Sequence, residues 1–140
     1  MRKYKFTGFT LPKGTLKIVE EEGFWETDEY SPFFLEINFI DSDTDEGNFL
    51  FSFQFSPTPS EFDRWNSTLS LKGFEQSGYG WTEFLIKEIH KYAPEIYKHL
   101  LFDPEAETCY IATTSMDIFQ LLLPCLGEIF KSIDNMVHEQ

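Results

Sequence analysis

Basic residues are scarce in this chain. Its 140 residues hold 11 Lys and Arg against 24 Asp and Glu, a formal net charge of −13 at pH 7. That balance argues against nucleic acid and anionic membranes as partners, since both repel a negative surface. Cysteine is scarcer still. Cys109 and Cys125 are isolated, one after Thr108 and the other after Pro124. Two such residues make neither a disulfide framework nor a zinc set, and they read as buried thiols in a reducing compartment. Long apolar runs are also missing, and none approaches the ~18 residues of a membrane-spanning helix. Met1-Arg2-Lys3-Tyr4-Lys5 is basic, but no apolar run succeeds it, because Thr7, Gly8, Thr10, Pro12 and Lys13 interrupt the chain there. No signal peptide is expected, and the chain is expected to remain in the cytosol.

Catalytic signatures are lacking as well. There is no G-x-G-x-x-G and no P-loop, and Gln76-Ser77-Gly78 has glycine on only one side of the serine, unlike a nucleophile elbow. His90 and His99 stand nine apart and His138 is remote, without a zinc-ligand spacing. Paired carboxylates are common, but they signify acid–base catalysis only in a shielded site that splits their pKa values. The sequence therefore predicts no enzyme, no metal and no cofactor.

What is present is a foldable composition. The chain is 41% hydrophobic and 25% charged, which fits one globular domain over residues 1–140. Aromatic residues reach 18%, with 16 phenylalanines, enough for a heavy, rigid core with rings to spare for a binding surface.

The charge is unevenly spread. Arg2, Lys3, Lys5, Lys13 and Lys17 precede position 20 without a single acid. Residues 20–63 then hold 13 acids and no Lys or Arg, a charge equal to that of the whole chain. A one-signed patch speeds association with an oppositely charged partner, so a basic protein suits this chain. The plainer account is that acidic loops keep it soluble.

Residues 1–71 read as strand-rich and 72–140 as helix-rich. Leu16–Glu20 is short and β-branched and reads as a strand. Phe33, Leu35, Ile37 and Phe39 alternate on one face of a second strand; Phe49, Phe51, Phe53 and Phe55 do so on a third. The polar stretch 41–48 between them predicts an antiparallel hairpin, whose apolar face needs a cover. Phe62–Leu71 leaves strand and irregular structure both open. Helix is predicted from about Trp81 to Tyr92, a short helix after Pro94, a turn at Asp103–Ala106 and a strand over Glu107–Thr113. Ser115 can N-cap a last helix from Met116 to about Val137, which Pro124 should kink or split. The predicted fold is α+β: an antiparallel sheet with a prominent hairpin, covered on one face by two to three helices.

Two segments are candidates for function. Asp41, Asp43, Asp45 and Gly47 loosely resemble a calcium loop, but position six is Glu46 rather than glycine and position twelve is Ser52 rather than glutamate. A small regulatory or calcium-sensing domain using 41–47 is the alternative reading of this loop. Phe24-Trp25-Glu26-Thr27-Asp28-Glu29-Tyr30 interleaves rings that can anchor with acids that can steer. The candidate partner-binding residues are therefore Trp25, Glu26, Asp28, Glu29, Asp41, Asp43, Asp45 and Glu46. The competing view is that Trp25 and Tyr30 pack at the sheet edge.

The motifs Gly73-Phe74, Gly78-Tyr79-Gly80-Trp81, Ala93-Pro94-Glu95-Ile96 and Phe102-Asp103-Pro104-Glu105-Ala106 resemble the immunity protein 51 family of bacterial polymorphic-toxin systems. The likeness covers roughly residues 70–137 and leaves the acidic half outside it. It implies an antidote that binds and neutralises a cognate toxin domain in the cytosol. Toxins of such systems include nucleases with basic clefts, and an acidic plug suits one by analogy.

Overall fold

The structure, a computed structural model, describes residues 6, 11–30, 32–40 and 49–138. The two Phe-rich runs form its centre. Strand β2 (Phe33–Phe39) pairs antiparallel with β3 (Phe49–Phe55), in register from Phe33 opposite Phe55 to Phe39 opposite Phe49. Strand β1 (Phe24–Thr27) flanks β2, while β5 (Cys109–Thr113) and the two-residue β4 (Leu101–Phe102) follow β3 on the other side. All four pairings are antiparallel, in the order β1-β2-β3-β5-β4.

Among the described residues five helices accompany the sheet: α1 (Thr15–Glu22), α2 (Asp63–Leu71), α3 (Gly78–Tyr92), α4 (Pro94–Tyr97) and α5 (Met116–His138). Helix α5 packs on β3 and β5, α3 packs on β5 and α5, and α2 packs on α5. This is the α+β architecture that the alternation predicts. The core between the layers is mostly aromatic. The fully buried Trp81 stacks on Phe130 at 5.4 Å and 5°, and Phe55 meets its edge at 5.0 Å. The Trp81 indole N–H donates to Asn66 Oδ1 at 2.7 Å, and Asn66 Nδ2 donates to the Pro57 carbonyl at 2.9 Å. Those two bonds satisfy polar groups that burial would otherwise penalise.

Several expectations need correction. Residues 16–20 are helical, not extended. Gly14 (φ 83°) and Gly23 (φ 89°) bracket α1 in left-handed conformations, and Thr15 and Val19 lie one turn apart on its buried side. β-Branching is a weak prior that this packing overrides. Phe62–Leu71 is a 3-10 turn (Ser60–Phe62) followed by α2. With α1 and α2 in it, the first half is not simply strand-rich. Pro124 does not split α5, which runs unbroken from Met116 to His138. Buried Leu122, Leu123 and Leu126 hold that helix down on both sides of the exposed proline. Phe39 is 50% exposed and packs edge-on against Phe49 at 5.9 Å, so the alternation does not bury it as it buries Phe33, Leu35 and Ile37. Ser115 caps α5 as expected, its Oγ accepting from Ile118 N–H at 3.2 Å.

The two motifs of the C-terminal half meet in one joint. Gly78 N–H donates to the Ala106 carbonyl at 2.8 Å, so the start of α3 sits on the 103–108 turn. Ser77 caps that helix, accepting from Gly80 N–H at 3.2 Å.

Candidate partner-binding surface

Strand geometry sends alternate side chains to opposite faces. In β2, Phe33, Leu35 and Ile37 point into the core, which leaves Phe34, Glu36 and Asn38 on the other face. The register carries this second face across the sheet. Glu26 stands opposite Glu36, Glu36 opposite Ser52, Ser52 opposite Ala112, and Ala112 opposite Leu101. Phe24, Asn38 and Leu50 form the row on one side, and Phe34, Gln54 and Tyr110 the row on the other. Of this face, Phe24, Phe34, Leu50 and Leu101 lie outside the core cluster, whereas Ser52 and Ala112 at its centre are buried.

The chemistry of this face is acidic and aromatic. The five strands contain no Lys or Arg. Glu26 is exposed, Glu36 is half-buried, and neither has an ion pair among the described residues. Asn38 Nδ2 donates to Glu36 Oε1 at 2.8 Å, which orients that carboxylate without neutralising it. Beside it, burial raises the Tyr110 hydroxyl above its ordinary pKa; a hydrogen bond with Ser52 opposes this, and the charges of Glu36 and Asp103 add to it.

The expected site residues divide. Trp25 turns inward opposite Ile37 and packs, half-buried, against the core. Tyr30 packs against the core too. Asp28 and Glu29 are exposed just beyond β1, where the Glu29 N–H donates to Thr27 Oγ1 at 3.1 Å. Asp41, Asp43, Asp45 and Glu46, and the 41–47 calcium-loop reading with them, lie outside the described residues. Phe24 belongs to the candidate segment 24–30, though not to the candidate residues; Phe34, Glu36 and Leu101 were not singled out from the sequence. The signal for Phe34 and Glu36 was the off-beat of the alternation used to find β2.

Helix α1, which packs on β1 and β2, ends in Glu20, Glu21 and Glu22, all exposed, with no basic residue in its last turn. Elsewhere the chemistry is quieter. Burial pushes the Cys109 thiol up to about 12, partly opposed by a hydrogen bond with Thr82. The half-buried Cys125 rises to about 11 through burial and the nearby Glu95 and Glu88. Both stay protonated and inert near neutral pH. Two open hollows lie on the helical side, one along α5 at Glu128, Lys131 and Asn135, the other at Asp63, Arg64 and Ser67 of α2 with Val137. Among the described residues no three His, Cys, Asp or Glu side chains converge to hold a metal ion, and no helix is long and apolar enough to cross a membrane.

Comparison with known proteins gives no match to a family model, to a curated protein or to a solved structure.

Proposed function

We propose that this chain is an immunity protein, a stoichiometric binder that neutralises a basic toxin domain through its acidic surface. The observation that carries the binding role is where the acids stand. Glu20–Glu22 occupy the last turn of α1, where the helix dipole disfavours negative charge. Glu26 stands directly opposite Glu36 in the sheet, where like charges repel. Acids needed only for solubility could sit anywhere on the surface. Acids held where they oppose the fold call for a compensating role, and departures from local rules concentrate at functional sites. The identity of the partner as a toxin comes from the resemblance of the C-terminal motifs alone. A nuclease is the toxin whose basic cleft best matches an acidic plug.

Titration calorimetry against a toxin domain, should the neighbouring genes encode one, tests the reading. A 1:1 complex is expected, weakening at least about tenfold between roughly 50 and 500 mM salt as the charges are screened. No binding, or binding indifferent to salt, contradicts it.

A further inference from the structure

We draw no further inference here: the strongest candidate, the side-chain cluster where the Trp65 indole N–H donates to Asp134 Oδ1 at 3.0 Å and His138 Nε2 stands 3.4 Å from Asp134 Oδ2, beside the open hollow at Asp63, Arg64, Ser67 and Val137, ties α2 to α5, and among the described residues no buried polar side chain is left without a hydrogen-bond partner to show what the hollow would hold.

Discussion

Gly78 has no room for a side chain. A Cβ there would lie 1.9 Å from the Glu105 carbonyl oxygen and 2.6 Å from that of Thr108. At Gly80 it would lie 1.8 Å from the Glu75 carbonyl oxygen. Both obstacles are backbone, which cannot swing aside as a side chain does. Gly78→Ala should therefore cost about 3 kcal/mol of stability in urea unfolding. Tyr79→Ala, between the two glycines and exposed, should cost less than about 0.5 kcal/mol. The contrast identifies the motif as a device for seating α3 on the 103–108 turn, and it explains why two motifs far apart in the chain occur together. Residue types alone revealed that these glycines shape a turn, but not what presses on them. At Trp25 the sequence left two readings open, an anchor for a partner or a residue packed at the sheet edge. The register opposite Ile37 turns its ring to the core and leaves neighbouring Phe24 outside.

Elements were legible where one period dominated. In β2 and β3 the alternation spans seven residues each and leaves little choice of face. In α2 the buried positions are Trp65, Asn66, Thr68 and Leu69, half of them polar, so apolar periodicity was silent. Asn66 is buried because it accepts from Trp81, a partner 15 residues away that local pattern does not reveal. Helix α1 was misread because β-branched residues outweighed the glycines that define its ends. Of the two effects expected of Pro124, a split does not occur. The proline removes one backbone donor on the exposed side of α5, while an unbroken buried stripe from Phe119 to Val137 holds the helix. Pro124→Ala restores that hydrogen bond and should raise stability by about 1–3 kcal/mol in urea unfolding. A loss of stability would mean that the helix is shaped around the proline.

Across the whole molecule, the aromatic residues and the acids have separate tasks. Most rings fill the space between sheet and helices, around Trp81, Phe130, Phe55 and Trp65. The acids that end α1 and the Glu26 of β1 lie at the β1 edge of the sheet. The sequence disclosed the negative block at 20–63 but not its geometry, since only the register brings Glu26 and Glu36 together across 10 residues of chain. The central claim is that these acids oppose the fold and are kept for a partner. Equilibrium urea unfolding at low salt of the variant carrying Glu20→Gln, Glu21→Gln, Glu22→Gln and Glu26→Gln tests it most directly. The account predicts a gain of about 1 kcal/mol over the wild-type chain, shrinking as salt is added. A variant no more stable than wild type, or less stable, would contradict it and return the acids to the role of solubilising charge.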